Sequence, residues 1–282
     1  MAVTHKYPVV GRCIYCGAIP KKLSDEHVIP FALNGGMVLP DASCNECAKV
    51  THQYEHTVAR RIFGHFRIKH GVQTRRPGKR PTHIVIGTLM PNGATGTAKV
   101  PVADHPTMLF LYKFDQATML RGLPAEVEDF RWVPISIFSK EELDAFVAKY
   151  HWDCKQTVLA VPVEFARMVA KIAYSFAVGE FGLDSFTPLS QTLDVILNRT
   201  NNVSYTVGGD WEIPPPDSKG RHILVPTVRI VPGGALIVVE VRLFPAFETP
   251  QFRVVIGRFD FHNSQHLTVF EKKMKAATII QN

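Results

Sequence analysis

Long hydrophobic runs are missing from this sequence. The longest apolar stretches, such as ALIVVEV over 235–241, are strand-sized, and none reaches the length of a membrane span. No membrane partner is therefore expected. The opening residues, MAVTHKYPVVGR, contain no apolar h-region, so a secretory route is not expected either. The expected address is a reducing cytoplasm. There is no P-loop, no dinucleotide-binding glycine fingerprint and no nucleophile elbow. Those absences remove the sequence support for phosphate-loop, dinucleotide and serine-hydrolase chemistry. No internal repeat and no low-complexity tract is present. Carboxylates are scarce in the first third: residues 1–83 hold 5 Asp+Glu against 13 Lys+Arg.

The 282 residues suffice for one large domain or two ordinary ones. A hydrophobic fraction of 46% with 20% charged residues is that of a folded chain that can bury its own core. The formal net charge is +7, yet residues 84–282 hold 19 Lys+Arg against 20 Asp+Glu. All of the excess positive charge thus lies before residue 84. A basic end on a nearly neutral body suits a polyanionic partner.

Cysteine is used sparingly and in pairs. Four of the five cysteines form two C-x-x-C pairs, Cys13/Cys16 and Cys44/Cys47, and Cys154 stands alone. In a reducing compartment such pairs read as metal ligands, not disulfides. Four thiolates suit a tetrahedral structural Zn²⁺ site. Cys154 reads as a small buried hydrophobe.

The expected fold class is α+β. Residues 1–70 form a cysteine module, 71–81 (GVQTRRPGKRP) a basic linker, and 82–282 a larger α+β domain with a mainly antiparallel sheet. Within the module, YPVVGRC reads as a short strand and EHVIPFALNGG as a strand and loop. Ser43-x-x-Glu46 reads as a capping box that starts a helix near Cys44, running to about Phe63 and on toward His70. Beyond it, HIVIGTLM, TAKVPV, TMLFLYKF and WVPISIF read as strands by their branched and aromatic content. KEELDAFVAKYHW, VPVEFARMVAKIAYSFAVGEFG and SQTLDVILNR have helical spacing. Three further strands are expected in HILVPTVRIV, ALIVVEVRLF and FRVVIGRF.

The 27 residues between the two cysteine pairs carry DEHVIP and then Gly35-Gly36. A C-x-x-C pair, an E-H-V-I-P turn, a Gly-Gly and a second C-x-x-C opening a helix resemble the HNH endonuclease family. The resemblance covers residues 10–60, a fifth of the chain. It implies a ββα-metal module and metal-dependent hydrolysis of phosphodiester bonds, usually in DNA, often in phage or defence settings.

That resemblance assigns His27 as general base and Glu26 as ligand of a catalytic Mg²⁺ or Mn²⁺. The chemistry of the residues agrees: neutral histidine is a base at working pH, and carboxylate is a hard oxygen donor. In the family a His or Asn often follows the last cysteine as a metal ligand, but here that position is Ala48. His52 and Glu55 follow Ala48 at i+4 and i+7 and share its helix face, so either can substitute. His56 ranks below them. The family's middle Asn has no clean counterpart; Asp41 and Asn34 are the candidates. These departures keep a second reading open, a zinc-dependent nucleic-acid-binding protein without catalysis. Arg60, Arg61, Arg67, Lys69, Arg75, Arg76, Lys79 and Arg80 follow the module and are expected to contact backbone phosphates.

Overall fold

In a computed structural model the described residues are 5–74, 77–89, 92–152, 160–217 and 221–280, with side chains of 77, 89 and 274–280 excepted. The chain opens with β1 (His5–Lys6), β2 (Ser24–His27) and β3 (Met37–Ser43), a three-stranded sheet in the order β1-β3-β2. Strand β2 pairs antiparallel with β3, with Glu26 opposite Leu39 and His27 opposite Val38. The pairing slips between Ser24 and Glu26. The slipped stretch of β3 contains Pro40, which has no N–H to give a ladder. That proline hides β3 in the sequence, where MVLPDAS reads as a loop. Gly35 makes the bend between the strands possible, since a Cβ there would come 1.8 Å from the Ile29 carbonyl oxygen.

Helix α1 (Asn45–Arg61) follows β3 directly, and α2 (Gly64–Lys69) comes next. The single helix expected from Cys44 to beyond Phe63 is thus two helices, broken at Ile62 and Phe63. The expected capping box does not form. Ser43 Oγ donates to the Cys44 carbonyl, and it is Cys44 that caps α1, its Sγ accepting the Cys47 N–H at 3.5 Å.

The rest of the chain is β4 (His83–Leu89), β5 (Thr95–Pro101), β6 (Leu109–Phe114), β7 (Trp132–Ile137), α3 (Lys140–Tyr150), α4 (Pro162–Phe181), β8 (Thr187–Pro188), α5 (Ser190–Ile196), β9 (Val207–Gly209), β10 (His222–Val231), β11 (Gly234–Leu243), β12 (Gln251–Asp260) and α6 (Ser264–Ile280). Strands β4 and β5 form one antiparallel hairpin, and β6 and β7 another. Strands β10, β11 and β12 are an antiparallel meander, extended by β8 and β9 on β12. The fold is α+β: a ββα unit carrying the cysteines, then a larger region dominated by antiparallel sheets. The short strands β8 and β9 and helix α6 add to the elements expected from sequence.

Helix α4 organises the core. Every residue from Phe165 to Val178 is buried, the mark of a helix covered on all sides. It packs on α1 and also on β11 and β12. One continuous apolar cluster therefore takes in Leu39, Val58 and Phe63 near the cysteines as well as Phe165, Val239 and Phe252. A smaller cluster of Ile84, Ile86, Val100 and Phe146 lies under β4, β5 and α3. Among the described residues no helix is long and apolar enough to cross a membrane.

Candidate zinc centre and nucleic-acid interface

The first cysteine pair sits on a tight turn. Gly17 N–H donates to the Cys13 carbonyl at 2.9 Å, and Gly17 itself has a positive φ of 73°. The turn is docked on β3 by Ile14 N–H, which donates to the Ala42 carbonyl at 2.8 Å. The second pair straddles the start of α1. The four Sγ atoms of Cys13, Cys16, Cys44 and Cys47 all lie within 4.8 Å of one another, and Cys16 and Cys44 are 3.7 Å apart. A tetrahedral zinc with Zn–S bonds of about 2.3 Å requires sulfurs about 3.8 Å apart. The donor set and spacing fit zinc, and these four residues would hold it. Among the described residues no other group of three or more His, Cys, Asp or Glu side chains is that close.

The Cys13 thiol pKa is held down to about 4, chiefly by a hydrogen bond from Cys47 and also by backbone donors around it. The same contact pushes Cys47 up. A pocket that stabilises one thiolate is prepared for a cation.

Helix α4 grips this turn from the core side. Tyr174 Oη donates to the Ile14 carbonyl at 2.8 Å, and Tyr15 Oη lies 3.2 Å from Ser175 Oγ. One turn of α4 earlier is Lys171, 1% exposed. Its Nζ lies 2.5 Å from Glu26 Oε1 and 2.9 Å from Glu55 Oε1. It also donates to the His27 carbonyl oxygen. Lys171 thus ties β2 to α1 from behind.

The sequence-assigned residues divide around this lysine. Glu26 points inward and is 6% exposed. Glu55, on α1, also turns toward Lys171. His52 stays on the exposed side of α1, its ring centroid 5.9 Å from that of His56. His27 is half-buried, with its ring 6.0 Å from Phe31. Asn34 spends its side chain on the Gln73 N–H at 2.8 Å, and Asp41 N–H donates to Asp25. Burial pushes Glu26 above the ordinary carboxylate range, with the Glu55 charge adding, against the pull of Lys171. Burial alone would lower Lys171, but the charges of Glu26 and Glu55 reverse that and hold it above its ordinary value. Burial also pushes Tyr15 and Tyr54 well up, and Tyr54 Oη has no hydrogen-bond partner among the described residues.

Sequence reasoning missed Lys171 because nothing local connects it with Glu26. The available signal was a lysine within ARMVAKIAYSF, a stretch apolar on every face. In a helix buried all round, a lysine requires acidic partners.

A divalent ion does not fit beside this lysine. Glu26 and Glu55, the carboxylates meant to hold it, already converge on an ammonium, and a second cation there would face its charge at close range.

The basic residues lie on a different surface. Arg60 and Arg61 are exposed at the end of α1. Arg60, Arg67, Lys79 and Arg80 line one cavity of ≈ 390 Å³ together with His65 and Thr74, and among the described residues no carboxylate lines it. Arg67 donates to the Ala59 carbonyl at 3.3 Å and Arg80 to the Val72 carbonyl at 2.5 Å. Burial and the neighbouring Arg80 charge both lower Arg67. Lys69 lies apart, donating to the Ala103 carbonyl at 2.7 Å. Among the described residues none of Arg60, Arg61, Arg67, Lys69, Lys79 and Arg80 pairs with a carboxylate. Arg75 and Arg76 lie outside the described residues. Comparison with family models, with curated proteins and with solved structures returns no match.

Proposed function

We propose that this chain is a zinc-stapled nucleic-acid-binding protein, with DNA as its first-choice partner, and that it binds without cutting. The observation that carries the reading is the convergence of Arg60, Arg67, Lys79 and Arg80 on one cavity with no carboxylate among the described residues of its lining. Like charges held that close favour an anion between them, and a backbone phosphate has the charge and the acceptor oxygens. The zinc site supports this by fixing the start of α1, the helix whose far end carries Arg60 and Arg61.

The resemblance to HNH nucleases extends to the ββα arrangement and the four cysteines. It weakens at the catalytic centre. Hydrolysis with Glu26 as metal ligand needs that carboxylate available, and Lys171 holds it. On this reading Lys171 serves as a permanent internal cation where the family would bind an exchangeable one.

The test is fluorescence anisotropy of labelled DNA with the full-length, zinc-loaded protein across a salt series. Affinity should fall steeply with salt, by a slope of about one per phosphate contact. Replacing Arg60, Arg67, Lys79 and Arg80 by Gln together should flatten the slope by about three to four. An unchanged slope and affinity would place binding elsewhere and sink the proposal.

A further inference from the structure

A second cavity, of ≈ 370 Å³, adjoins the basic one, and Arg60 and His65 line both. Its character is different. Met108, Phe110, Phe138 and Trp152 supply apolar and aromatic walls. Phe110 on β6 stands directly across from Ser136 on β7, and Phe138 follows the end of β7, so the β6–β7 hairpin forms one side. Phe138 is 42% exposed, unusual for a phenylalanine with a core available nearby. The volume falls within the about 300–1,000 Å³ of small-molecule sites.

The polar group inside is defined too. His105 is 1% exposed, and its Nδ1 lies 2.8 Å from the Pro106 carbonyl oxygen. A carbonyl only accepts, so Nδ1 carries the hydrogen and Nε2 is left as an acceptor. Burial holds His105 down to about 4, which keeps the ring neutral near pH 7. The cavity therefore offers aromatic and apolar walls, the neutral His105 ring, the Ser136 hydroxyl, and an arginine, Arg60, shared with the basic cavity.

A flat, mostly apolar group with N–H donors, joined to a phosphate, is a nucleotide. We propose that this second cavity seats an unpaired base of a DNA strand whose backbone phosphate rests in the basic cavity at Arg60. This rests on the nucleic-acid-binding reading above and adds to it a preference for unpaired DNA. In a duplex the base faces are stacked on one another, so only a single-stranded or extruded base can enter. Stacking on Phe138 and Trp152 tolerates any sequence, while the His105 acceptor favours bases with an accessible N–H.

The experiment compares three labelled DNAs of equal length with the full-length, zinc-loaded protein. They are a single strand with bases, the same strand with abasic sugars throughout, and the corresponding duplex. The base-bearing strand should bind about tenfold more tightly than the abasic strand, the order that one stacked base contributes. The duplex should bind no better than the abasic strand. Phe138→Ala shortens one wall, and Ser136→Trp fills the cavity from an exposed strand position. Both variants should remove the tenfold difference and leave the abasic strand's affinity unchanged. Equal binding of base-bearing and abasic strands by the wild type would overturn the base site and leave the phosphate reading standing. A duplex bound as tightly as the base-bearing strand would overturn the preference for unpaired bases. Failure of all three to bind would overturn both readings. Zinc content and the thermal transition of each variant show whether a lost difference reflects misfolding.

Discussion

Lys171 Nζ stands 2.5 Å from Glu26 Oε1, joining the middle of the most buried helix to the second strand of the chain. The same ammonium reaches Glu55 on α1. Two carboxylates that sequence alone assigns to a catalytic metal are thereby held on a lysine that belongs to the core.

Removing that lysine leaves the buried Glu26 carboxylate and the partly buried Glu55 carboxylate without their cation. Lys171→Met should destabilise the protein by about 3–5 kcal/mol, the usual cost of breaking a buried ion pair from one side. Urea unfolding measures it. Adding Glu26→Gln to Lys171→Met should recover part of the loss, because the amide carries no charge to be stranded. A cost under about 1 kcal/mol for Lys171→Met would mean that the lysine is not holding this cluster together.

The zinc site shares its core with α4 and the large sheet. The protein should carry one zinc, and Cys16→Ser or Cys44→Ser should release it. Because Leu39, Val58, Phe165 and Phe252 belong to one cluster, the loss should lower a single cooperative thermal transition. Metal analysis with calorimetry checks both parts. Zinc-free protein melting at the wild-type temperature would contradict the structural role.

Acid should unfold the protein through buried neutral histidines. His105 and His222 are each held down to about 4, chiefly by burial. An unfolded histidine takes its proton near 6.5. Between those values protons favour the unfolded chain, so stability is lost as pH falls from about 6.5 toward 4, by about 1.4 kcal/mol per unit of depression for each group. His222 Nε2 contacts the Leu33 carbonyl at 2.8 Å. His222→Gln keeps a donor there without a titrating group, and it should flatten the acid limb of melting temperature against pH. An unchanged acid limb in that variant would exclude His222 from the effect.

His27 separates the two functional readings. A positioned general base typically contributes about 10²–10⁴ in rate. On the binding-only reading, wild type and His27→Ala should leave plasmid DNA, single-stranded DNA and RNA equally intact with Mg²⁺ or Mn²⁺. Cleavage by the wild type that disappears in His27→Ala, with zinc content retained, would restore the hydrolytic reading and overturn the one proposed here.

The sequence by itself determined the α+β class, the four-sulfur cluster and most of the strands. Each rests on local information: two C-x-x-C spacings, runs of branched and aromatic residues, and a glycine or proline at the turns. The family resemblance grouped Glu26, His27, His52 and Glu55 in one expected site; the structure brings Glu26 and Glu55 together on Lys171 and leaves His52 on the exposed side of α1. Only the tertiary structure decided which way those side chains face. Strand β3 was hidden by Pro40, whose missing N–H is tolerated because the pairing slips there. The Ser43–Glu46 box gave way to a cap by Cys44, because the cysteines must converge on one point. Lys171 reaches Glu26 and Glu55 only once α4 has packed on α1, and no periodicity encodes a charge pairing across so much chain. The two adjoining cavities arise in the same way, the aromatic one where the end of α1 and α2 meet the β6–β7 hairpin and the basic one where they meet residues 72–81. Local pattern specifies elements; burial and long-range packing choose the charges and surfaces that those elements share.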